Sequence, residues 1–288
     1  MNNSGNILGV LLASLALCFL SGGCAVRSKA RIPAPEESPV PLNSEAALKS
    51  FASRIKANEG AEGFARLNGS FRNNKEKFSA SAAILVKKPS LFYLELSGPF
   101  GRSGLKLAAD GTNISAFFVQ KKRFLSEPFS PELAEDLLGI RLYPEEIVSL
   151  LIGEGIPLEK YSPIETSALT EEKVFRIVCN SEQLKRKAVL LLDSESPRVL
   201  KGTFFDSDKE IPVASFQFTY KGSSVLPQGL EITSLGEQCR IRFRYRYLKF
   251  SNKIQSSSFQ IRIPKSADRI ERTEVSGSRP FLFLGNEE

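Results

Sequence analysis

The nine residues from Cys239 to Tyr247, CRIRFRYRY, alternate without a break. Arg240, Arg242, Arg244 and Arg246 fall on one side, and Ile241, Phe243, Tyr245 and Tyr247 on the other. Successive side chains of a strand point to opposite faces, whereas a helix would scatter these arginines around its axis. The stretch is therefore a strand with one wet face and one apolar face. A parallel sheet covered on both sides would show continuous apolar runs instead, so the pattern calls for an antiparallel sheet that buries a single side. The arginine side is either a solvated face or a surface that meets headgroups or a partner. The apolar side is either plain core or the lining of a cavity for acyl chains.

Further strand signals recur at hairpin spacing. FARLNGSFRN, KFSASAAILVKK, LFYLELSG and GLKLAADG follow one another across short breaks, and NISAFFVQKKRFLSE continues them. After an interruption come KVFRIVCNS, KAVLLLDSE, RVLKGTFFDSD, VASFQFTY, GLEITSL, the arginine strand and SSFQIRIP. The interruption reads as two short helices: SPELAEDLLGIRL has Ser130 as cap, Pro131 at its first turn and Gly139 as stop, and YPEEIVSLLIGEG repeats the design with Pro144 and Gly153. A third helix precedes the strands, with Ser44 as cap, Leu48, Phe51 and Ile55 at helical spacing, and Gly60 as stop. Roughly a dozen strands without βαβ alternation define a mainly β class with helical cover.

The first 23 residues carry no charge and hold an apolar run from Ile7 to Leu20 that ends in small residues before Cys24. This reads as a secretory signal, too short for a confident membrane span. Its end, LSGGCAV, resembles the lipobox of bacterial lipoproteins, which implies cleavage before Cys24 and acylation of that cysteine; an ordinary signal peptide or a retained anchor are the alternatives. Ala25 after the cysteine favours the outer membrane, on its periplasmic face. Residues 24–43 hold several prolines and form an extended tether. The folded domain is expected over 44–265 and a tail over 266–288, whose Phe281–Leu284 run docks on the body. Cys179 and Cys239 remain either as one disulfide or as two buried thiols.

Of 288 residues none is histidine, which removes the commonest general base, the commonest zinc ligand and every imidazole triad. The chain is expected to be no enzyme and to take no cofactor or metal. GPFGRSGLK lacks the Gly-Lys-Ser/Thr ending of a phosphate loop. Glu145 and Glu146 follow a proline at a helix start, where carboxylates complement the helix dipole. Lys and Arg number 39 against 32 acidic residues, a net +7 that suits anionic surfaces such as phospholipid headgroups, and no aromatic interleaving on the arginine face points to nucleic acid.

One turn remains, LSGPFGRSGL, which sets Phe100 between Pro99 and Gly101 where water is hard to avoid; the ring either projects or folds back onto the sheet. From Phe64 to about Pro157 the order of segments resembles the LolB-type outer-membrane lipoprotein receptor and its relative, the periplasmic carrier LolA. The family's GPLG turn, LLG…LP helix pair and glycine-containing exit match Gly98–Gly101, Leu137–Gly139 with Leu142 and Pro144, and Gly153–Pro157. The resemblance implies an antiparallel half-barrel, with the N-terminal helix and two short helices over its concave face. It also implies that this face receives acyl chains of lipoproteins or phospholipid from a soluble LolA-like carrier and helps insert them into the outer membrane. Phe92, Leu94, Phe118, Leu138, Ile147, Leu151, Phe243 and Tyr245 are the candidate lining. Phe100 takes the place of the family leucine that drives insertion, in a loop formed by Pro99, Phe100, Gly101 and Arg102, where Arg102 would meet lipid phosphates.

Overall fold

The computed structural model describes residues 58–71, 77–169, 173–196, 198–234 and 238–274, together with Phe51, Ser53 and Gly236. All belong to the compact unit that begins at Leu42. The leader, Cys24 and the tether lie outside the described residues, as do the Phe281–Leu284 run and most of the expected first helix. Of that helix, Phe51 and Ser53 are described; both are helical and Phe51 is fully buried.

Six strands follow in succession: β1 (Gly60–Phe71), β2 (Lys77–Lys87), β3 (Leu91–Ser97), β4 (Ser103–Asp110), β5 (Asn113–Phe118) and β6 (Arg123–Pro128). Helices α1 (Pro131–Leu138) and α2 (Pro144–Leu151) intervene. Seven more strands form a second run: β7 (Ser162–Leu169), β8 (Val174–Ser181), β9 (Arg186–Asp193), β10 (Val199–Asp206), β11 (Pro212–Thr219), β12 (Gly229–Ser234) and β13 (Cys239–Phe250). A two-residue β14 (Asp268–Arg269) ends the series. All fourteen share one sheet, ordered β14-β6-β5-β4-β3-β2-β1-β13-β12-β11-β10-β9-β8-β7. The sheet is thus two meanders joined where β1 pairs with β13, and every pairing is antiparallel except β14 on β6.

That order dictates where the helices go. β6 and β7 lie at opposite ends of the sheet, so residues 129–161 must cross one face to connect them. The crossing is stabilised as two capped helices whose apolar sides meet the sheet. Ser130 Oγ accepts the Leu133 N–H at 3.1 Å and starts α1, and Gly139 at φ 76° ends it. The Glu146 carboxylate accepts the Tyr143 N–H at 2.8 Å at the start of α2. Gly153 follows at φ 84°, and a Cβ there would stand 2.6 Å from the Pro227 ring, so both the backbone and the space require glycine. α2 packs against β2 and β3.

Alternation of burial is regular through most of the sheet, and β13 keeps Ile241, Phe243 and Tyr245 inside with Arg240, Arg242, Arg244 and Arg246 exposed. Tyr247 departs from the expected apolar face and is 55 % exposed, because a β-bulge at Arg246 shifts the pairing from Tyr245–Ala65 to Tyr247–Phe64 and turns Tyr247 to the outer face. Three segments differ from the sequence reading. NISAFFVQKKRFLSE is two strands, turned at Lys122 with φ 49°. SPIETSAL is strand β7, which showed no alternation because nearly every residue of this edge strand is exposed. SSFQIRIP is not a strand but a short 3-10 helix, Ser256–Phe259, with buried Phe259 packed toward β3 and β4. β13 ends at the far rim from β14, so the chain has to cross the first meander here. The expected boundary at 265 is also passed: β14 pairs with β6, and Ile270 is buried.

Candidate functional site: an apolar cavity under a helical lid

An apolar cavity lies between the first meander and the crossing helices. Leu67 of β1, Leu94 and Leu96 of β3, and Leu105 and Leu107 of β4 line the sheet side. Ile232, Ile241 and Phe243 close it toward β12 and β13. Leu138, Ile140, Leu142, Ile147 and Leu151 form the lid. The space open to the centre of a water-sized sphere is about 40 Å³. A single water needs roughly 10–15 Å³ and two to four polar partners, which this lining does not supply, so the slot is dry and narrow.

Of the expected lining residues, Leu94, Leu138, Ile147, Leu151 and Phe243 border the cavity. Phe92, Phe118 and Tyr245 are buried in the core but do not. Phe92 sits one inward position further along β3, where its ring meets Phe129 edge-on at 6.4 Å. Phe118 belongs to β5, one strand beyond the cavity floor. Tyr245 is turned to the lid, its O–H donating to the Leu151 carbonyl at 3.0 Å, and burial raises its pKa. Leu67, Leu96, Leu105, Leu107, Ile232 and Ile241 on the strands, and Ile140 and Leu142 between the helices, were missed as lining, although the strand residues follow the same inward alternation as those chosen.

Besides the Tyr245–Leu151 bond, two ion pairs tie the lid down. Glu146 of α2 is wholly buried; its carboxylate accepts the Tyr161 O–H at 2.7 Å, and Arg186 Nε of β9 stands 3.7 Å away. Arg186 also donates to the Arg141 carbonyl at 3.1 Å and covers the Tyr143 ring at 5.2 Å. Burial pushes the Glu146 carboxyl above its ordinary value, against the opposing pull of the guanidinium. Glu146 thus caps the helix start and also joins lid to sheet. The second contact is Lys88 Nζ at 2.7 Å from Glu154 Oε1, linking the β2–β3 turn to the segment after α2.

At the β3–β4 turn, Phe100 is fully exposed at 101 % and holds φ 65°. A bulky residue at positive φ is a true outlier. Gly98 N–H donates to the Arg102 carbonyl at 3.0 Å and Gly101 N–H to Gly98 at 3.2 Å, closing the turn between Pro99 and the exposed Arg102. The ring stands off the sheet. Cys179 and Cys239 are free and buried, and burial pushes both thiols up to about 12.

No family model and no curated protein matches the sequence. Solved structures do match the fold. A LolA superfamily protein from Nitrosomonas europaea aligns over 76 % of this chain and 97 % of its own, with TM-score 0.52 and 12 % identity. A DUF1329 family protein from Desulfovibrio piger gives 0.55 at 11 % identity, covering 75 % and 97 %. A Vibrio parahaemolyticus domain named for outer membrane lipoprotein sorting gives 0.53 at 17 % identity, again over 75 % and 97 %. The chain therefore has the LolA-like fold: an open, mainly antiparallel sheet with two short helices across it.

Proposed function

We propose that this protein is a membrane-anchored carrier or receptor for acyl chains, which binds the lipid part of lipoproteins, or phospholipid, beneath the α1–α2 lid and helps insert it into the outer membrane. The observation that carries this reading is the cavity lining, entirely aliphatic but for Phe243. Acyl chains need no polar recognition, and no catalytic group or cofactor enters the scheme. Cys24 supplies the lipid anchor, and the tether gives the domain reach from the bilayer toward a soluble LolA-like carrier. At about 40 Å³ the slot admits an acyl chain only when the lid lifts. The strain held at Phe100 then has a purpose, since an aromatic ring on an exposed turn suits the membrane interface, with Arg102 beside it for lipid phosphate.

A photo-crosslinking residue in place of Leu94 should label the acyl chains of a radiolabelled lipoprotein, while one in place of Arg242 on the outer face should not. Absence of labelling at Leu94, or equal labelling at both positions, overturns the reading. Phe100→Glu should leave loading intact and stall incorporation into vesicles; equal incorporation would remove Phe100 from the mechanism. The narrowness of the cavity favours a second reading, an envelope adaptor that uses this fold to bind a protein partner. Crosslinks to protein and none to acyl chains would select it.

A further inference from the structure

Across the outer face of the sheet, one row of directly paired residues reads Thr219, Gly229, Arg244, Arg66, Ser81, Ser97. Arg66 and Arg244 thus stand opposite each other on β1 and β13, and like charges so placed destabilise a sheet. Among the described residues no carboxylate pairs with either of them. Glu231 is taken by Arg240 and Arg242, and Glu62 by Lys249. Among the described residues, Arg66 and Arg244 join no ion pair; Arg66 Nε reaches only Ser79 Oγ at 3.4 Å. Arg246, next along the same face, lies over the Phe64 ring at 5.4 Å. The cross-strand neighbours, Ser81 and Gly229, are small, while Phe64, Asn68, Arg242 and Arg246 flank the pair along its own strands. Arginine presents a planar fork of donors matched to phosphate oxygens, and hydroxyls add further donors.

The row ends at Ser97, directly before the turn that carries Phe100. Arg66 is two strands from Ser97, across β2, about 10 Å at the usual strand spacing. Exposed Lys77, Arg102, Lys121 and Lys122 lie on the same rim. We infer that Arg66 and Arg244 form a docking site for the phosphates of anionic phospholipid headgroups, which lays the outer face against the bilayer once the tip has entered it. This inference rests on the membrane role of Phe100 and names the class of lipid that the same region selects.

The test uses the full chain reconstituted in vesicles, with an environment-sensitive dye on Ser79→Cys; buried Cys179 and Cys239 resist labelling. A second preparation keeps Phe100 and carries the dye beside it on Gly98→Cys, where a Cβ meets nothing within 4 Å. Quenching by headgroup-labelled lipid at position 79 should be strong in vesicles containing phosphatidylglycerol, weak in phosphatidylcholine alone, and lost at high salt. Replacing Arg66 and Arg244 by serine should weaken the contact about fivefold per arginine removed. The same double variant should be no less stable to urea than its parent, because it removes an opposed pair. Equal quenching in both vesicle types, or quenching indifferent to the arginines, overturns the inference. So does a dye response to soluble heparin with none to vesicles, which would assign the face to an anionic polymer. Failure of the Gly98→Cys dye to enter either vesicle, with quenching at position 79 retained, overturns the tip reading alone.

Discussion

The inward face of the sheet has two halves built to opposite designs. Under α1 and α2, the β3–β4 side is aliphatic and leaves a slot of about 40 Å³. Under the second meander, the face is filled by an aromatic series, Tyr161–Phe204–Phe216–Phe218–Tyr220, with successive ring centroids 5.4–6.5 Å apart. Gly202 makes room for it: a Cβ there would come within 2.6 Å of the Phe216 ring. The lid's fully buried ion pair also belongs to the aromatic half, through Arg186 and Tyr161. The difference suggests a hinge: interlocked rings and a buried ion pair hold one end of the lid, while the aliphatic end is held by dispersion contacts, the O–H···O bond from Tyr245, the Lys88–Glu154 pair and the more exposed Arg272–Asp136 pair.

The latch should be the most sensitive point. Arg186→Ala leaves Glu146 buried without its cation, so we expect a loss of about 3–5 kcal/mol in urea unfolding. If the loss falls below that of Lys88→Ala, the fixed end has been misplaced. Acid-base behaviour provides a second check. A carboxyl whose folded pKa is raised above its ordinary 4.5 binds protons more readily folded than unfolded. Its contribution to stability therefore falls as pH rises from about 4.5 through the folded value. Glu146→Gln should flatten that slope.

Truncations come next. Phe204 is wholly buried within the ring series, and Phe204→Ala should cost about 3–5 kcal/mol. Leu94→Ala borders space that is already empty, loses fewer contacts, and should fall near the low end of the leucine range, about 2 kcal/mol. Equal losses would mean that the halves are packed alike. Enlargements should reverse the contrast in tolerance. Ala214 lies directly opposite Phe204, so Ala214→Leu overpacks that half by about 1–3 kcal/mol. Leu94→Phe should stay within about 1 kcal/mol of wild type, because the slot absorbs the ring, and should block acyl-chain labelling.

Most of the sheet was legible because burial on one face imposes period two, and β13 showed it over nine residues. Both lid helices were legible from their caps, Ser130 with Pro131 and Gly139, then Pro144 with Gly153. β7 was not, since an edge strand exposed on both faces has no pattern to impose. The cavity was half legible: alternation tells which residues face inward, as with Leu94 and Phe243, but not where the lid stops touching them. Phe92 and Leu96 are equivalent in sequence terms, and only the course of residues 129–161 over the sheet separates them. The Arg186–Glu146 contact joins positions 40 residues apart through tertiary packing, which no local spacing reveals.

The two halves also share a rim, and it offers the finest comparison. Four hairpin tips there hold non-glycine residues at positive φ: Phe100 at 65° and Lys122 at 49° on the aliphatic half, Lys185 at 49° and Glu210 at 54° on the aromatic half. A left-handed conformation costs an L-residue about 1–2 kcal/mol. Glycine gives back roughly 0.5–1 kcal/mol of that through its larger entropy loss on folding. Phe100→Gly and Lys185→Gly should therefore each raise stability by about 0.5–1 kcal/mol, read as a shift of the urea midpoint at constant slope. Their functional effects should part: Phe100→Gly should stall lipoprotein incorporation into vesicles, and Lys185→Gly should leave it unchanged. A stabilised Phe100→Gly protein that still inserts its cargo would show that the strain at this turn is incidental. A stabilised protein that cannot would show that the tip keeps its phenylalanine at the expense of stability, because the ring acts at the membrane.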